Sequence, residues 1–150
     1  MSLPPAHPAF AAHFTDPLYD DVALESAPFG SDEGSDVLWE WGERRDELAP
    51  GSTIAEVMEM DEGDVAETVA RMAGIDHLDQ AAIVRGAAFT LLRLVGHLGE
   101  EDRQTVLRVL DYEIATTADP DWLPQEARDQ LVPPLERQRA DLLAWRNPAQ

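Results

Sequence analysis

Residues 77–98 constrain the fold more than any other stretch. Ile83, Val84, Ala87, Ala88, Phe89, Leu91, Leu92, Leu94, Val95 and Leu98 follow with little polar interruption. They cover almost the full circumference of a helix, and in a water-soluble chain such a helix has to be central, with others around it. Asp76 is placed to cap it. After a short break at Gly99-Glu100, a second amphipathic run extends from about Glu101 to Ala118, with Val106, Leu107, Leu110 and Ile114 inward. Two helices joined so closely form an antiparallel hairpin.

The flanks carry further helix signals and no strand of period-two alternation. Ser31 and Ser35 are both candidate N-caps, with acids in the first turn, for a helix bearing Val37, Leu38 and Trp41. Ser52 or Thr53 caps a short element over Ile54, Val57 and Met58. Asp64 is a candidate cap for another over Val65, Val69 and Met72. Gln125–Leu131 reads as a short helix, and Pro133-Pro134 as the opening of a final one over Leu135, Leu142, Leu143 and Trp145. The expected fold is all-α, a compact bundle of about five to seven helices around residues 77–98. Residues 1–30 hold Pro4, Pro5, Pro8, Pro17 and Pro28 with Phe10, Phe14 and Phe29. They read as an irregular N-terminal arm packed on a single helical domain, 31–150.

A chain of 150 residues suffices for one domain with one core. Without cysteine it has no disulfide, thiolate metal site or cysteine nucleophile. The N-terminus lacks the basic and apolar regions of a signal peptide, and no apolar run is long enough to span a membrane, so a cytoplasmic location is the expectation. The net charge is −19 and every basic residue is arginine. Such a field repels nucleic acid and anionic membranes and favours a basic or neutral protein partner.

The densest cluster of special residues is Ala27–Trp41. There Phe29, Gly30, Asp32, Gly34 and Asp36 precede Trp39 and Trp41. Its acids would repel phosphate, and its spacing lacks the ligand positions of an EF-hand loop. Positions 39 and 41 point about 200° apart on one helix, so the two tryptophans cannot share one core. One of them is a candidate interaction anchor. Arg85 and Arg93 sit on the otherwise apolar central run and share a stripe with His97. Buried guanidiniums need partners, and the reading adopted is a structural ion pair, Arg85 with Asp32 or Asp36. The competing reading is a basic-floored pocket for an anion.

Catalytic motifs are absent. His7, His13, His77 and His97 match no zinc spacing, and there is no nucleophile elbow or phosphate-binding glycine loop. Glu40 with Glu43, and Asp61 with Asp64, are carboxylate pairs at i, i+3. Paired acids on neighbouring helices hold Mg²⁺ in the all-α MazG-type nucleotide pyrophosphohydrolases, which makes that activity the alternative. Thirty acids in 150 residues make such pairs common by chance. The preferred reading is a non-enzymatic interaction domain without cofactor, of an accessory, inhibitor or immunity-like kind.

The segment Ala27–Arg45, APFGSDEGSDVLWEWGERR, resembles a PFG-[NS]-D-[DE]-G-[SA]-D signature of an uncharacterised bacterial YfeS-like family. The hydrophobic helix and following turn over Arg93–Glu113 are similar to that family's later helical hairpin. The better-known family member joins this region to a WGR domain. Here Trp41-Gly42 is followed by Glu43, so the nucleic-acid association of that domain is not carried over. The resemblance implies a helical fold and no particular activity.

Overall fold

The computed structural model describes residues 3–149. Among them are seven α-helices and no strand: α1 (Pro8–His13), α2 (Asp32–Glu43), α3 (Ile54–Met58), α4 (Glu62–Ala70), α5 (Leu78–Val95), α6 (Glu100–Thr117) and α7 (Gln125–Ala144). Short 3₁₀ turns at Pro17–Asp20, Arg45–Glu47 and Ile75–His77 link them. The fold is all-α, as the sequence implies. No helix among the described residues is long and apolar enough to cross a membrane.

α5 is the central helix. From Ala81 to Leu94 all but one of its residues, Ile83, are buried, and α2, α3 and α6 pack against it. It is shorter than its hydrophobic run at both ends. The 3₁₀ turn precedes Leu78, so Asp76 does not cap it, and Gly96 closes it in the left-handed region at φ 69°. A glycine adopts that conformation without the Cβ clash other residues meet, which stops the helix three residues before the expected break. His97 therefore lies beyond the helix and off the stripe of Arg85 and Arg93.

One cap resolves between its two candidates, and two further boundaries differ from expectation. Ser31, not Ser35, starts α2, its Oγ accepting from the Gly34 N–H at 3.1 Å. Asp61 holds the position before α4, which leaves Asp64 in the first turn. Gln125–Ala144 is one helix with Pro133 and Pro134 inside it, and Trp145 lies just past its end. Prolines at those positions remove the N–H groups that would bond the Asp129 and Gln130 carbonyls. Both of those residues are exposed, so the freed carbonyls stay within reach of solvent.

The N-terminal segment is part of the core. Phe10, Phe14 and Tyr19 are buried; Phe14 stacks on Trp145 at 5.4 Å between ring centroids and meets Phe89 of α5 edge-on at 5.6 Å. Each fully buried large apolar side chain contributes about 2 kcal/mol, so this aromatic cluster ties both chain ends to the central helix. Pro4 of the same segment lies against Gly42 of α2.

α2 and α5 cross at their glycines. A Cβ on Gly86 would stand 2.7 Å from the Gly34 Cα, a backbone atom that cannot rotate aside. Gly86→Ala is therefore expected to destabilise by about 1–3 kcal/mol despite alanine's better helix propensity. Gly63 in α4 has open space around its Cβ direction, so Gly63→Ala is expected to stabilise by up to about 1 kcal/mol. Urea unfolding of the two variants checks this opposition of sign.

Candidate functional site

Most residues of the PFGSDEG loop have a local task in seating α2. Ala27, Pro28 and Phe29 are buried. Gly30 lies against the Leu24 carbonyl and Gly34 against the Pro28 carbonyl, contacts that leave no room for a Cβ. Asp32 and Asp36 point to solvent and are exposed. Trp41 is buried and donates its indole N–H to the Val57 carbonyl at 3.0 Å. Trp39 is half-buried on the other side of the helix.

Arg85 does not bond Asp32 or Asp36. Its guanidinium forks onto Glu113 of α6: Nε donates to Oε1 at 2.9 Å and Nη2 to Oε2 at 3.0 Å. Nη1 donates to the Ser26 carbonyl at 3.1 Å, an oxygen that also accepts from Gln138 Nε2 of α7 at 2.6 Å. The side chains of Arg85 and Glu113 are only 2% and 5% exposed. Burial pushes the Glu113 carboxyl upward, and the guanidinium offsets part of that rise. Asp32 and Asp36 fail as partners because the helix start turns them outward, whereas Glu113 sits on the inward stripe with Val106, Leu110 and Thr117. That stripe was readable from the spacing; an acid on it is the overlooked signal.

Arg93 acts on the N-terminal segment. It donates to the Pro4 carbonyl at 2.8 Å and to Asp20 Oδ1 at 3.1 Å, and its guanidinium carbon lies 5.6 Å from the centroid of the Phe29 ring. The motif loop thus meets both arginines, through the Ser26 carbonyl and the Phe29 ring rather than through its carboxylates. This arrangement places neither guanidinium as the open floor of an anion site with His97.

The four acids considered for Mg²⁺ are exposed on the surface. Glu40 accepts from Arg44 at 3.2 Å, Glu43 ends α2, and Asp61 and Asp64 begin α4. Among the described residues, no three His, Asp or Glu side chains gather where they could hold a metal ion. The carboxylate cluster that the alternative reading requires is not formed among the described residues, because Asp61 and Asp64 belong to a helix start rather than to an inward helical face.

A cavity of about 210 Å³ opens beside the ion pair, between residues 25–26, the start of α5, the end of α6 and α7. Glu25, Asp79 and Trp122 are exposed residues of its lining; Leu78, Ala82, Leu131 and Leu135 form its walls, and Arg85 and Glu113 lie at its base. The Glu25 carboxyl is raised by burial and then by Glu33 and Asp32, with Arg85 opposing.

A carboxyl raised in the folded state contributes stability below its unfolded pKa that is lost as pH climbs through the folded value. Glu25→Gln lacks this loss. The variant is expected to gain on wild type in thermal stability between about pH 4 and pH 7. Parallel profiles would remove the electrostatic crowding inferred at Glu25.

No protein-family model and no solved structure matches the chain significantly. A stretch of 33 residues is 61% identical to the uncharacterized protein YfeS of Escherichia coli (strain K12). It spans 22% of this chain and only 14% of that protein. The resemblance to a YfeS-like family is borne out over that segment.

Proposed function

We propose that the chain is an acidic, non-catalytic binding domain, an accessory or inhibitor-like module of the immunity kind, that docks on a basic protein. The observation that carries this reading is the disposition of charge. Asp32, Asp36, Glu40 and Glu43 on α2, Glu56 and Glu59 at α3, and Asp61, Glu62, Asp64 and Glu67 on α4 are all exposed. The cations interspersed with them, Arg44 and Arg45, are spent locally. Arg44 lies on Glu40, Glu47 and Glu59, and Arg45 on the carbonyls of Pro5 and Leu94.

Elsewhere the same economy holds. Arg85, Arg93, Arg137 and Arg139 are engaged by the chain's own carboxylates. Arg103 and Arg146 donate to carbonyls at the end of α7. Most acids face outward, Glu113 being the buried exception, while most guanidiniums tie the interior and the chain ends and Arg71 and Arg108 stay exposed. A field of this kind steers an oppositely charged partner and speeds encounter more than it deepens affinity.

The test is cross-linking and co-purification from native cells at low salt. It uses the wild-type chain and a variant with Asp61→Asn, Glu62→Gln, Asp64→Asn and Glu67→Gln. A stoichiometric basic protein is expected with wild type and not with the variant. Its association rate should fall about tenfold or more from low to high salt. Retention of no basic protein would contradict the reading, as would metal-dependent nucleotide turnover by the purified chain.

A further inference from the structure

We infer that the cavity beside the Arg85–Glu113 pair receives an arginine or lysine side chain of the basic protein partner. The inference rests on the binding-domain reading and specifies where its anchor lies. Three observations point to a cationic side chain with an apolar stem. The mouth carries two exposed carboxylates, Glu25 and Asp79, and Asp32 and Glu33 at the start of α2 act on Glu25 through space. Trp122, 38% exposed, lines the same opening, and an indole face is the strongest aromatic partner for a cation. Leu78, Leu131 and Leu135 supply the apolar wall along which a methylene stem lies.

The base of the cavity is polar without being charged overall. Arg85 is held by both carboxylate oxygens of Glu113 through Nε and Nη2 and by the Ser26 carbonyl through Nη1, so neither charge of the pair is free to reject or attract a ligand strongly. Ser26, 5% exposed, lines the cavity, and its Oγ has no hydrogen-bond partner within the chain. Such an orphaned hydroxyl is uncommon, and it gains a partner if an incoming N–H donor displaces the side chains that cover it. An anion entering the same opening would have to pass Glu25 and Asp79 with Asp32 and Glu33 behind them. The volume of about 210 Å³ is of side-chain rather than cofactor size.

The site also explains an oddity of the tryptophans. Trp122 is the exposed tryptophan among the described residues, while Trp39 is half-buried and Trp41 and Trp145 are buried. It is held in a turn whose own bonds, Trp122 N–H to the Asp119 carbonyl and Asp121 N–H to Asp119 Oδ1, keep the indole beside the opening. The anchor expected at Trp39 or Trp41 is thus assigned to a different tryptophan, in the turn between α6 and α7.

The experiment is an NMR titration of the full chain with acetyl-Gly-Arg-Gly-amide and with its citrulline counterpart, which keeps the shape and removes the charge. The arginine peptide is expected to shift the Trp122 indole N–H and the Ala82 and Glu113 amides saturably, and the citrulline peptide to leave them unmoved. Glu25→Gln with Asp79→Asn should weaken binding about fivefold or more. The equally charge-neutralising pair Glu101→Gln with Glu136→Gln, outside the cavity, should change it by less than about twofold. Shifts scattered over α2–α4, or equal losses in both double variants, would overturn the cavity assignment and leave the acidic-surface reading standing. Absence of any shift at Trp122 at millimolar peptide would overturn it too. Failure of the binding-domain reading itself has a separate sign, the lack of a basic partner in co-purification.

Discussion

Four segments of this chain meet on one buried ion pair. Arg85 comes from α5, Glu113 from α6, the Ser26 carbonyl from the loop before α2, and Gln138 from α7. Taking two charges out of water costs several kcal/mol each, and only close geometry with further hydrogen bonds offsets it. The fork of Arg85 on Glu113 supplies the geometry, and the doubly bonded Ser26 carbonyl supplies the rest. Because an unpaired member is so costly, the helices cannot slide past one another by a turn without exposing or orphaning a charge. The pair therefore sets their register in a way that interchangeable apolar contacts do not.

Two other contacts complete the frame. At the crossing of α2 and α5, Gly34 and Gly86 bring the backbones closer than any Cβ permits. At the far end of α5, Arg93 gathers Pro4, Asp20 and the Phe29 ring, which draws the N-terminal segment onto the bundle. Seen this way, the PFGSDEG loop is a seating device. Its phenylalanine lies under one arginine and its glycines admit neighbouring carbonyls. Its serine caps a helix, and its carboxylates are what remains on the outside. The last of these connects the loop to function, since Asp32 and Glu33 add to the field at Glu25.

Much of the architecture was legible in the sequence because it follows from local rules. The apolar run of α5, its hairpin with α6, the Ser31 and Thr53 caps and the opposed faces of Trp39 and Trp41 all depend on spacing within a few residues. What was not legible depends on contacts far apart in the chain. Arg85 pairs across 28 residues with Glu113, and nothing local distinguishes that acid from Asp32 or Asp36 except its place on the inward stripe. The continuous α7 escaped because a Pro-Pro pair reads as a helix start unless the carbonyls it frees are known to be exposed. The cavity at Trp122 joins residues 25 to 135 and has no sequence signature. The i, i+3 acids do not converge for the converse reason: such pairs are cheap to find in an acidic chain, and helix starts collect them.

The central claim is that the Arg85–Glu113 pair, not apolar packing alone, fixes the arrangement of the helices. A double-mutant cycle in urea unfolding tests it most directly, with Arg85→Met, Glu113→Leu and the two combined. Each single substitution is predicted to cost about 3–5 kcal/mol, by leaving a buried charge unpaired, and the double substitution far less than their sum. Single costs below about 1 kcal/mol, in the range of exposed pairs, or strictly additive costs, would contradict it.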